Sequence, residues 1–121
     1  MANTFKVLTF AAEPNSAGTP YVVYTAGSGV TAVVLGLILT NINTAQVTAE
    51  VELVSDTGSR GGSNDVTNGT AFLAKDIPIP VGSSVELLSG NKVVLETTDQ
   101  IRIDCSVADK LSGALSVMEI T

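Results

Sequence analysis

The sequence predicts an all-β domain, a single antiparallel β-sandwich of about eight or nine strands with a long loop at 55–70. Three observations carry that expectation. The chain holds 16 Val, 14 Thr and 11 Gly, a composition rich in β-branched and turn residues. Apolar segments of five to ten residues recur along it with turn residues between them, the rhythm of a sandwich or barrel. No segment sustains a helical pattern. At 121 residues the chain is one domain's worth of material.

Thr4–Phe10 is the first strand candidate. Residues 11–20 follow with no periodicity and with Pro14 and Pro20, so they read as a linker or corner. The chain thus divides into an N-terminal strand or arm with its linker, 1–20, and a sandwich domain, 21–121. Tyr21–Thr25 is a strand closed by the Gly27-Ser28-Gly29 turn. Tyr21 and Tyr24 lie three apart, so a regular strand sends them to opposite faces.

Thr31–Asn41 is the most apolar segment: alternation puts Val33, Leu35, Leu37 and Leu39 on one face and Val34, Gly36, Ile38 and Thr40 on the other. One face lines the core. The other needs a cover, which is another subunit, a folded-back terminal arm or the chain's own linker. The turn at Asn41–Ala45 predicts a hairpin onto Gln46–Val54, where Val47, Ala49, Val51 and Leu53 alternate with Thr48, Glu50 and Glu52.

Sixteen residues from Ser55 to Thr70 offer almost nothing to bury and read as a long loop. Ala71–Lys75 re-enters a strand, and Ile77-Pro78-Ile79-Pro80 can form only an edge or a crossover, because proline removes ladder donors. Val85–Leu88 and Lys92–Glu96 flank Ser89-Gly90-Asn91, which predicts a short hairpin. Gln100–Ser106 turns Ile101, Ile103 and Cys105 inward and Arg102 and Asp104 outward. Gly113–Ile120 is the last strand.

Composition argues against catalysis. Histidine is absent, which removes the usual general base near neutral pH and the commonest transition-metal ligand. Cys105 is the single cysteine and falls on an apolar strand face, the setting of a small buried hydrophobe. Glu50 and Glu52 share a strand face, but paired acids on an exposed face are ordinary and no tryptophan offers a sugar platform. Asp56, Asn64 and Asp65 do not have the spacing of a calcium loop. No catalytic, cofactor-binding or metal site is therefore expected. Six basic against twelve acidic residues give a net charge of -6, which disfavours nucleic acid. The longest apolar run, Val30–Leu39, is far shorter than the ~20 residues of a membrane helix. The N-terminus lacks the order of a secretory signal, so synthesis in a cytoplasm is expected.

Several segments together resemble the small virion structural proteins of tailed bacteriophages. They are Val22–Gly27, Thr31–Leu37, Ile77–Pro80 with Gly82-Ser83-Ser84, Leu87–Glu96, Asp99–Ile103 and Leu115–Ile120. The resemblance covers roughly residues 20–121 and rests on strand-and-turn signals. It implies a non-enzymatic subunit repeated on a virion, made in the host cytoplasm, most simply a capsid decoration or cement protein. Its partners would be itself and the major capsid protein or other virion proteins, with no nucleic acid, membrane or cofactor. A neck or tail component, or a glycan- or receptor-binding module presented by the 55–70 loop, is the alternative. Candidate interface residues are Phe5 and Phe10 on the arm and Val34 and Ile38 on the apolar strand.

Overall fold

A computed structural model describes residues 2–55, 69–88, 90 and 92–121. Among the described residues nine strands form two antiparallel sheets packed face to face: β1 (Asn3–Glu13), β2 (Tyr21–Thr25), β3 (Thr31–Asn41), β4 (Val47–Val54), β5 (Thr70–Ile79), β6 (Ser84–Leu87), β7 (Val93–Leu95), β8 (Gln100–Cys105) and β9 (Leu111–Ile120). Sheet A runs β1-β9-β3-β6, with β7 also on β3, and sheet B runs β2-β8-β4-β5. The all-β sandwich expected from the sequence is the fold. The bulk of the 55–70 loop lies outside the described residues.

The core is the apolar layer between the sheets. Val34, Leu37, Leu39, Leu95, Leu111, Leu115 and Val117 of sheet A meet Val47, Val51, Ile79, Ile101 and Ile103 of sheet B, all 2 % exposed or less. Period two in each strand sends these residues inward, and burial of their side chains is the main stabilising term.

Two connections differ from the sequence expectation. Asn41–Ala45 does not close a hairpin, because β3 belongs to sheet A and β4 to sheet B. Asn41 is buried and explains the corner: its Nδ2 donates to the carbonyls of Ala45 (3.0 Å) and Ile79 (2.9 Å), and its Oδ1 accepts from the Asn43 amide (2.7 Å). A polar turn residue that satisfies backbone groups of the turn and of the opposite sheet serves a crossing between sheets as well as a hairpin. Likewise β6 and β7 do not pair with each other. They lie end to end along β3, with Leu37–Thr40 opposite β6 and Ala32–Val34 opposite β7.

Bulges in β3 and β2 break the simple alternation there. The register of β3 on β9 shifts between Val34 and Gly36. Ala32 and Val34 therefore face the core before the bulge and Leu37 and Leu39 face it after, so the two apolar faces assigned from strict period two exchange midway. A second shift, between Val22 and Tyr24 in β2, turns both tyrosines inward instead of to opposite faces. Tyr21 packs on Phe10 with ring centroids 5.9 Å apart, and the buried Tyr24 hydroxyl donates to Glu119.

The segment expected as an arm is strand β1, which is longer than Thr4–Phe10 and pairs along β9 in its own sheet. Linker 14–20 descends toward sheet B, where the Gly18 amide donates to Asp104 (3.2 Å) and the Asp109 amide donates to the Pro14 carbonyl (2.8 Å). It does not cover the outward face of β3. Residues 77–79 continue β5 as an edge strand, the position in which Pro78 costs no ladder bond.

Candidate functional site

The two outer faces of the sandwich differ in chemistry. On sheet B, Glu50, Glu52, Arg102 and Lys75 form an ion-pair network. Lys75 meets Glu50 at 2.7 Å and lies 4.7 Å from the Phe72 ring centre, while Arg102 holds the buried carboxylate of Glu52. The two glutamates considered as a catalytic pair each have a cation as structural partner. Among the described residues no group of three His, Cys, Asp or Glu side chains gathers as for a metal ion. Asp56, Asn64 and Asp65 lie outside the described residues. Cys105 is 3 % exposed, and burial raises its thiol above the usual range, so it is a poor nucleophile.

Sheet A presents the opposite surface. Register places Phe5 opposite Met118, Met118 opposite Val33 and Val33 opposite Val94, a row that crosses the sheet on its outward side. Phe5 is 71 % exposed, Val7 64 %, Val94 56 % and Ile38 41 %. The small residues Gly36, Ala114 and Ser116 leave a groove of about 400 Å³ between Leu35, Ile38 and Glu86. Among the described residues of sheet A, Glu86 is the one charged residue at an outward paired position. Four strands about 4.8 Å apart and about 30 Å long make a face of roughly 600 Å². The apolar side chains share that face with Thr9, Thr40, Ser84, Ser112 and Ser116, and exposed apolar surface concentrated on one face is what marks contact sites.

The four interface candidates separate on this geometry. Phe5 and Ile38 stand on the outward face of sheet A, whereas Phe10 (5 %) and Val34 (0 %) are core residues. The bulge after Val34 is what removes it from the face of Ile38. Phe10 turns inward over Gly113, its partner on β9. Val7, Val94 and Met118 belong to the face and were not among the candidates. Val7 follows Phe5 by two residues, a signal present in the sequence; Val94 and Met118 join only through long-range pairing.

One polar cluster ties β1 to the sandwich. Glu119, between the sheets, accepts from the Tyr24 hydroxyl and pairs with Lys6 at 2.9 Å. Those two donors hold its carboxyl below the usual carboxylate range, and the phenol is raised by its own burial and by Glu119. A carboxyl depressed in the folded state contributes stability above its unfolded pKa of about 4.3, lost as pH falls through the lower folded value. The melting-point difference between the wild type and Tyr24→Phe should therefore be full at pH 7 and shrink below about pH 4. A difference that stays constant down to pH 3 would assign the loss to packing alone.

No protein-family model and no curated protein matches this chain. Solved structures do. A chain from Bacillus endospore appendages, described as disulfide-linked pili, matches with a TM-score of 0.45 at 16 % identity, over 99 % of this chain and 87 % of that one. A chain of the infectious bursal disease virus T13 particle matches with a TM-score of 0.51 at 12 % identity, and one from the Gx strain of that virus with 0.50 at 14 %. Each viral match covers 96 % of this chain, which spans about a third of the viral chain (31 % and 32 %). At these identities the likeness is one of fold, a β-sandwich that also occurs as a part of viral particle chains.

Proposed function

We propose that this chain is a non-enzymatic structural subunit of a tailed-phage virion, a capsid decoration or cement protein that stabilises the particle through subunit contacts. The observation that carries the reading is the outward face of sheet A, apolar from Phe5 to Val94 and uncovered by the linker. Two such faces in contact, or one face on a capsid protein, would remove about 1,200 Å² from water, the lower end of specific interfaces. Further support comes from the sequence resemblance to small tailed-phage virion proteins and from a fold similar to part of a viral particle chain. The charged face of sheet B is suited to solvent. Partners on this reading are further copies of the chain and the major capsid protein, and the working location is the virion.

Quantitative mass spectrometry of particles purified from a lysate of the source tests the assignment. The chain should be present in many copies per particle, and its absence from particles would overturn the reading. The face is tested with Ile38→Glu, which puts a carboxylate beside the groove at a half-exposed position. Particle association should weaken by about tenfold or more, while the melting point stays within about 3 °C of wild type.

A further inference from the structure

A sandwich of two open sheets has four edges, and three of them here are guarded against further strand pairing. β2 has only five residues and a register break at Val22/Tyr24. β5 carries Pro78, two register breaks and Asp76 in the left-handed region (φ 50°). The third edge, beyond β3, is shared by β6 and β7, of four and three residues, which do not form one continuous edge. Short strands, bulges and proline are the devices by which sheet edges avoid other chains.

Over Asn3–Phe10 β1 has none of them, its one register break lying beyond, between Phe10 and Glu13. Asn3 to Phe10 pair with β9 in unbroken register, without proline or bulge. The direction of the backbone groups follows from the terminal bonds: the Ala2 amide donates to Thr121 (3.3 Å) and the Thr121 amide to Ala2 (3.0 Å). In an antiparallel ladder such hydrogen-bonded positions alternate with outward ones. Thr4, Lys6 and Leu8 therefore bond β9, while Asn3, Phe5, Val7 and Thr9 aim their N–H and C=O groups away from the sheet. Among the described residues no strand lies beyond β1.

We infer that this edge pairs with β1 of a second copy of the chain, antiparallel about a two-fold axis, to join two A sheets into one. The second copy is the occupant because each chain offers one unguarded edge among the described residues, and in a contact between copies that edge matches itself. Such pairing is isologous and closes at a dimer, whereas a filament would need a second open edge. One register satisfies all four outward residues: Asn3 opposite Thr9 of the partner subunit and Phe5 opposite Val7 of the partner subunit. Phe5 and Val7 then form an aromatic–aliphatic pair on the apolar face, a favourable cross-strand combination. The axis falls at Lys6, and its like-charge contact is offset because each Lys6 is already paired with Glu119.

The inference rests on the reading of the chain as an assembling subunit. It is tested on the full chain by light scattering across a concentration series, with twice the 12.4 kDa chain mass expected. Val7→Pro removes an edge-facing amide and leaves the β9 ladder intact. It should raise the dimer dissociation constant at least about tenfold, with a melting point within about 3 °C of wild type. Lys6→Cys, which retains the ladder whatever the fate of the proline variant, should give a covalent dimer on mild oxidation. Phe5→Cys, set off from its own counterpart in this register, should not. Cys105 is buried and does not compete. A wild-type monomer at all concentrations, a discrete trimer, or a dimer indifferent to Val7→Pro that gives no Lys6→Cys cross-link would overturn the inference. A trimer found in many copies on particles would overturn edge pairing alone, whereas absence from particles would overturn the functional reading and leave a dimer intact.

Discussion

Gly113→Ala should destabilise the domain by about 3 kcal/mol, which for a chain of this size lowers the melting point by about 10 °C. Gly113 lies in β9, the strand between β1 and β3, opposite both Phe10 and Leu39. A Cβ there would fall deep inside the contact distance of the Ile38 carbonyl oxygen and 2.6 Å from Cζ of Phe10. The ring could move, but the carbonyl belongs to the backbone of the adjacent strand and cannot move alone. Adding Phe10→Ala should therefore recover none of the lost stability, since it adds a cavity and leaves the carbonyl clash. Gly36→Ala is the matching control: nothing lies within 4 Å of its added Cβ, so its cost should stay below about 1 kcal/mol. Thermal melts of the three variants decide the matter, and equal losses at Gly36 and Gly113 would refute the steric account.

Arg102→Ala should cost about 2 kcal/mol. The Glu52 side chain is 9 % exposed and that of Arg102 29 %, so the pair is mostly, not wholly, out of water. Removing the guanidinium strands a largely buried carboxylate without its partner. The asymmetry is the informative part. The Arg102 Nε is buried with no hydrogen-bond partner, so the pair is itself imperfectly satisfied. Replacing both partners by apolar residues, as in Glu52→Leu with Arg102→Met, should lose less than Arg102→Ala alone. Urea titrations of the single and double variants at pH 7 measure the difference. A double variant worse than the single would show that the charges themselves hold sheet B together.

The strands were legible in the sequence and their partners were not. Val47, Ala49 and Val51 alternate with polar residues, so β4 follows from period two alone. Bulges at Leu35 and Val23 add one residue each, and from there every side chain changes face, which is why Val34 and Ile38 seemed to share a surface. Turn chemistry at Asn41–Ala45 reports that the chain reverses, not which sheet it enters. The choice depends on Ile79, thirty-eight residues away, whose carbonyl Asn41 holds. The open face of sheet A was half legible for the same reason. A doubly apolar β3 signals a surface in need of cover, but Phe5, Met118 and Val94 join it only through pairings that span half of the chain or more.

The central position of β9 also sets an order on synthesis. Sheet A cannot form its middle until residues 111–120 exist, because both β1 and the long side of β3 hydrogen-bond to them. During translation β3, the most apolar strand, waits without that partner for some seventy residues of growth. Contacts so distant along the chain slow folding, since the loops between them must close before any pairing rewards them. The interval is one in which β3 is open to a neighbouring nascent chain, so yield should depend on expression temperature and on chaperone supply more steeply than the finished sandwich's stability would suggest.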